Sequence, residues 1–206
     1  LIKEDLVEVK RKYSDPRRTT ILPDEGDFIL EDLIAEENAV ITITHGGYIK
    51  RMDTNLYKTQ KKGGKGVKAL SKKADDIVDH LFVTTTHHYL MFFTNKGRVL
   101  RLKVHQIPES SRTAKGNAII NLLNITGDEK VTAIIPIKEY DADKFLFVAT
   151  KNGIVKKSSL DSYDSPRKDG LIAVNLDEGD ELIGVRLTNG EEDIILGTKN
   201  GMSICF

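Results

Sequence analysis

Gln60-Lys61-Lys62-Gly63-Gly64-Lys65-Gly66 sets three lysines among three glycines within seven residues. That mixture suits a polyanion. Lysine neutralises its charge, and glycine lets backbone N–H donors approach a phosphate closely. A nucleoside triphosphate cradle is the first form to test. It requires G-x-x-x-x-G-K-[ST], whose hydroxyl meets the metal. Here Gly64-Lys65 is followed by Gly66, and Thr59 stands where the first glycine belongs, so the pattern fails.

Other reactive residue types offer less. Of five histidines (His45, His80, His87, His88, His105), only His87-His88 are adjacent, and no further ligands stand at metal-site spacing. The pair reads as a solvated hairpin tip between two apolar runs. Cys205, the only cysteine, reads as a core residue of a strand. A single cysteine excludes an internal disulfide framework and fits a reducing compartment. Asp177-Glu178-Gly179-Asp180-Glu181 lacks the spacing of an EF-hand and reads as a solvated turn. No catalytic residue and no metal site emerges.

The elements that must carry the lysines are repeats. Thr-x-x-Gly recurs between apolar runs in "ITHGGYIKRM" (43–52), "FTNKGRVLRL" (93–102), "ATKNGIVKKS" (149–158) and "GTKNGMSICF" (197–206). Its glycines, Gly47, Gly97, Gly153 and Gly201, are spaced by 50, 56 and 48 residues. A second glycine follows: Gly66 and Gly116 by 19 residues, Gly170 by 17. Acidic clusters precede each new unit at Asp75-Asp76, Asp128-Glu129 and Asp177-Glu178.

Within a unit the texture is β. Segments 131–137, 144–150, 154–160 and 171–176 are short, rich in β-branched and aromatic residues, and separated by turn signals. Four strands in about 50 residues predict a propeller-like blade. Residues 2–13 predict a helix ended by Asp15-Pro16, a linker follows, and 29–34 is placed at the start of the β domain. The organisation expected is a helix and linker over 1–34, then β repeats near 39–74, 75–127, 128–176 and 177–206. The chain opens on Leu1 and stops inside an apolar run at Phe206, so it is expected to be a piece of a longer protein. No apolar run approaches the length of a membrane span.

Formal net charge is zero, yet residues 41–120 carry 15 basic and 5 acidic side chains. Residues 1–40 carry 6 basic and 11 acidic, and 121–206 carry 10 basic and 15 acidic. Neutrality is therefore a cancellation between regions, and the middle region offers a field for a polyanionic partner. Lys58 and Lys68 flank the glycine-rich run, and other basic residues recur at matching points of the units. Lys50-Arg51, Arg98 with Arg101, and Lys156-Lys157 follow the first glycine. Arg112 with Lys115, and Arg167-Lys168, precede the second. On a ring of blades such positions are expected to form a rim that binds duplex DNA through its phosphates. No recognition helix or stacking aromatics suggest base readout, so binding is expected to tolerate sequence and depend steeply on salt. The reading from another class is a propeller-like scaffold for protein partners, its lysines serving solubility.

These residues resemble a known family, the C-terminal domain of DNA gyrase A. "KRKYSDPRRTTI" resembles its exit helix and linker, and "GGYIKRM", "FTNKGRVLRLKVHQIPESSRTAKG" and "FVATKNGIVKK" resemble successive blades. Gln60 to Gly66 resembles the gyrase-A box, with Lys61-Lys62 where arginine is usual, which loses a bidentate fork. The resemblance implies an all-β fold: a β-pinwheel, a six-bladed disc of four-stranded blades that exchange strands, about four of them present. It also implies a module, not itself catalytic, that wraps DNA into a positive crossing. The holoenzyme, an A2B2 assembly with gyrase B in the bacterial cytoplasm, would then introduce negative supercoils. ATP and Mg would be used on parts outside this chain. The corresponding domain of topoisomerase IV, which lacks or degrades the box, is the alternative.

Overall fold

The structure is a computed structural model that describes residues 2–15, 18–19, 33–54, 77–111, 113–165, 167 and 169–206. By its contacts the chain divides into two units, Leu1–Leu33 and Ile34–Phe206. The first contains α1 (Ile2–Tyr13). Glu4 and Asp5 occupy its first turn and Lys10, Arg11 and Lys12 its last, complementing the helix dipole. Lys12 pairs with Glu8 one turn back at 2.7 Å.

The second unit is built from hairpins. β1 (Asn38–Thr44) pairs with β2 (Tyr48–Asp53), β4 (Tyr89–Thr94) with β5 (Arg98–Lys103), β8 (Phe145–Thr150) with β9 (Val155–Ser159), and β12 (Ile195–Gly197) with β13 (Ser203–Cys205). Each turn is the Thr-x-x-Gly motif at work. The glycine N–H donates to the threonine carbonyl, for example Gly97 to Thr94 at 2.9 Å. The threonine hydroxyl accepts from the next backbone N–H: Tyr48 to Thr44, Arg98 to Thr94, Ile154 to Thr150 and Met202 to Thr198, at 3.1–3.3 Å. All four glycines have positive φ, between 75° and 91°, which a side chain at that position would resist.

A blade is not one contiguous repeat. Segment 131–137, expected in the same blade as 144–160, is β7 (Val131–Ile137) and pairs with β4 of the preceding hairpin. β10 (Leu171–Ile172) returns to β5, completing the order β10-β5-β4-β7. The first sheet is made the same way, in the order β3-β1-β2-β6, from β3 (Val78–Thr85) and β6 (Asn117–Ala118). A third sheet, β11-β8-β9, includes β11 (Leu182–Thr188). The second and third hairpins, β4-β5 and β8-β9, are thus each inserted between two strands that finish the sheet before it. The second strand of that pair is short for a visible reason. Ala173 and Val174 donate to the Gly97 carbonyl, as Ile119 does to Gly47, so the chain turns away after two residues.

Two apolar clusters lie between sheets. Ile41, Ile49, Leu90, Phe92, Leu100 and Ile134 join the first sheet to the second, and Met91, Phe93, Leu146, Val148, Leu160 and Val185 join the second to the third. Alternate residues of β4 therefore face opposite neighbours, as a strand's two-residue period requires.

Candidate nucleic-acid interface

The box Gln60–Gly66, with Lys58, Lys68, Arg112 and Lys168, lies outside the described residues, as does most of 29–34. The box falls in the connector between β2 and β3. The other predicted rim residues separate into two groups.

Those on β2 and β5 are engaged inside the fold. Lys50 was expected on the rim, but it is 1% exposed, and its Nζ donates to the Ala114 carbonyl at 3.1 Å. Burial pushes its pKa down. The cause of its burial is strand exchange. Gly116 packs so closely over β2 that a Cβ there would meet the Ile49 carbonyl oxygen at 2.5 Å. Arg51 donates Nε to the Ile107 carbonyl at 3.0 Å and lies 3.9 Å from Glu109. Arg98 is only 25% exposed and pairs with Glu129 at 2.7 Å, while its other arm reaches the Asp169 carbonyl. Arg101 pairs with Asp164 at 2.8 Å, its guanidinium 5.2 Å from the Tyr89 ring centroid and 5.5 Å from that of Tyr140. Burial opposes the Arg101 charge, but Tyr140 and Asp164 outweigh it and hold the group more firmly protonated.

The remaining predicted residues, two on connectors and two on β9, are outward. Arg167 is exposed and makes no ion pair among the described residues. Lys115 is exposed, its Nζ 3.4 Å from the Tyr48 ring centroid. Lys156 and Lys157 are exposed on β9, with their amines donating to the carbonyls of Ala173 (2.9 Å) and Gly190 (2.8 Å). Arg101, Lys103, Gln106, Asn124, Arg167 and the carboxylate Asp169 converge with Tyr89 on an open groove of about 770 Å³, in which Asn124 donates to Asp169 at 2.9 Å.

Several roles escaped the sequence reading. Glu129 is a buried carboxylate, its side chain 1% exposed, that accepts from Thr94 Oγ1 at 2.8 Å and from the Thr126 N–H and hydroxyl. Burial pushes its pKa up; these hydrogen bonds and Arg98 outweigh that and hold it below the ordinary value. Asp180, expected in a solvated turn, is buried and accepts from the N–H groups of Asn152 and Glu181. The recurrence of acidic clusters before each unit was the available signal. His87-His88 is not a solvated tip either. The segment is half-buried between sheets, with His87 Nε2 2.9 Å from the Ile34 carbonyl oxygen and His88 Nδ1 2.9 Å from Thr84 Oγ1. Cys205, expected in the core, is exposed on β13. Among the described residues no helix is long and apolar enough to cross a membrane.

The profile of a family described as "DNA gyrase C-terminal domain, beta-propeller" matches residues 38–85, 88–138 and 144–189. The chain belongs to the DNA gyrase C-terminal domain family. Its relatives include the DNA gyrase A proteins of Clostridium acetobutylicum, 50% identical, and of Halalkalibacterium halodurans, 53% identical, each over the whole of this chain. The chain spans about 25% of the length of either relative. A solved C-terminal domain of DNA topoisomerase IV superposes with a TM-score of 0.71 at 31% identity, covering 84% of this chain and 52% of that one. A DNA gyrase A C-terminal domain superposes with a TM-score of 0.60 at 25% identity, covering 82% and 54%. The gyrase C-terminal fold is the strand-exchanged β architecture described above. The two gyrase A proteins match the whole of this chain at 50% and 53% identity, against 31% over 84% of it for the topoisomerase IV domain, so the gyrase reading is favoured.

Proposed function

We propose that this chain is the DNA-wrapping module of gyrase A. The supporting observation is family membership combined with charge placement. Connectors of successive units carry outward cations, Lys115 and Arg167, and the box Gln60–Gly66 occupies the connector of the unit before them. Duplex DNA is bound without sequence preference through phosphates contacted by the box and by Lys58, Lys68, Arg112, Lys115, Lys156, Lys157, Arg167 and Lys168. Residues 1–34 join the β repeats of 35–206 to the cleavage core. The complete enzyme is an ATP-driven type II topoisomerase of A2B2 assembly acting at the bacterial nucleoid. Its cleavage tyrosine and nucleotide site belong to other parts of that assembly, so this chain needs no cofactor of its own.

The test is topological. Nicked plasmid is bound by the full-length protein and religated, and its linking number is read. A positive shift is expected, and no shift overturns the wrapping reading. Alanines at Lys61, Lys62 and Lys65 in the whole enzyme should remove supercoiling and spare relaxation. If both activities fall together, the box serves the fold instead.

A further inference from the structure

Arg51 and Arg101 occupy equivalent places, each four residues after the turn glycine of its hairpin, Gly47 or Gly97. Each reaches an acid on the connector that follows the next hairpin. Arg51 meets Glu109 at 3.9 Å and Arg101 meets Asp164 at 2.8 Å. Both connectors are held at a second point by another base of the same strand. Lys50 grips the Ala114 carbonyl and Arg98 the Asp169 carbonyl. The loop from Asp164 to Asp169 is therefore tied at both ends to β5, and Arg167 stands between the ties without an ion pair among the described residues.

We propose that Arg51 and Arg101 are positioning residues for DNA wrapping, which strut the connector loops so that their outward cations meet phosphate. This rests on the DNA reading above. An arginine against a carboxylate presents little net charge to a polyanion. To reach a phosphate, Arg101 would have to leave Asp164 and its seat over Tyr89 and Tyr140. Its side chain is 22% exposed, whereas that of Asp164 is 61% exposed, so the acid can be altered without opening a core.

Affinity of the full-length protein for linear duplex DNA is measured across a salt series, with D164N, R101Q and R167Q. R167Q should lower the log–log salt slope by about 0.9, the value for one phosphate contact. D164N removes a negative charge, so electrostatics alone would tighten binding. As a broken strut it should instead weaken binding by about threefold, the worth of a partly exposed ion pair. R101Q should match D164N with an unchanged slope, and the double variant should be no worse than either. Tighter or unchanged binding by D164N overturns the proposal, as does a slope drop of about 0.9 for R101Q. D164N alone decides the matter if R101Q does not fold. A salt-independent or absent affinity of the unmutated protein defeats the DNA reading itself, and this inference with it.

Discussion

Thr94 Oγ1 donates to Glu129 Oε1 at 2.8 Å, joining a hairpin end to a residue 35 positions later. The same threonine accepts from the Arg98 N–H, and Arg98 closes the circuit by pairing with Glu129. Removing the acid strands a mostly buried arginine. E129A should cost about 3 kcal/mol of stability, the range for breaking a buried pair, read from urea melts.

The same carboxylate makes an acid-side prediction. Its folded pKa lies below the usual 4.5, so its stabilisation is complete above that pH and disappears as pH falls through the lower folded value. The deficit of E129Q relative to the unmutated protein should therefore be constant near neutrality and shrink below about pH 4.5. Melts at a series of pH values check this. A deficit that grows on acidification would contradict it.

Two glycines with similar φ should respond differently to alanine. Gly153, at 91°, has open space where a Cβ would stand, so G153A should cost about 1–2 kcal/mol of backbone strain. Gly170, at 81°, would bring a Cβ to 2.5 Å from the Val99 carbonyl oxygen, and backbone cannot yield as a side chain can. G170A should cost about 3 kcal/mol or more, because β10 must leave β5. Comparable losses from the two would mean that strand exchange is loosely held.

Lys50 separates stability from DNA contact. K50A loses a buried stem and leaves the Ala114 carbonyl without its ammonium, so about 2–3 kcal/mol should be lost. The salt slope for duplex DNA should be unchanged under conditions where the variant is folded. A reduced slope would place this lysine on phosphate after all.

What the sequence made legible was local. Thr-x-x-Gly fixes a turn through a carbonyl, a hydroxyl and a glycine within five residues, so the four hairpins and their period could be read directly. Sheet membership could not. β7 follows β6 in sequence, yet pairs with β4 some 40 residues earlier, and its alternation of apolar residues is equally consistent with pairing forward. The basic residues divide on the same principle. Whether an arginine is committed to the fold depends on partners far along the chain, such as Asp164 for Arg101, and spacing alone does not reveal them. The glycines of the connectors had visible spacing, but their task of passing close to a neighbouring strand appears only in three dimensions.

Inserting β4-β5 between β3 and β6, and β8-β9 between β7 and β10, gives the chain the topology of a chain stitch. From Thr44 to Leu182 no peptide bond can be cut while leaving every sheet's strands on one piece. A protease nick in a connector would therefore yield fragments that stay clasped by hydrogen bonds rather than separable modules. Recombination at a repeat boundary would likewise always graft a foreign edge onto the blade upstream.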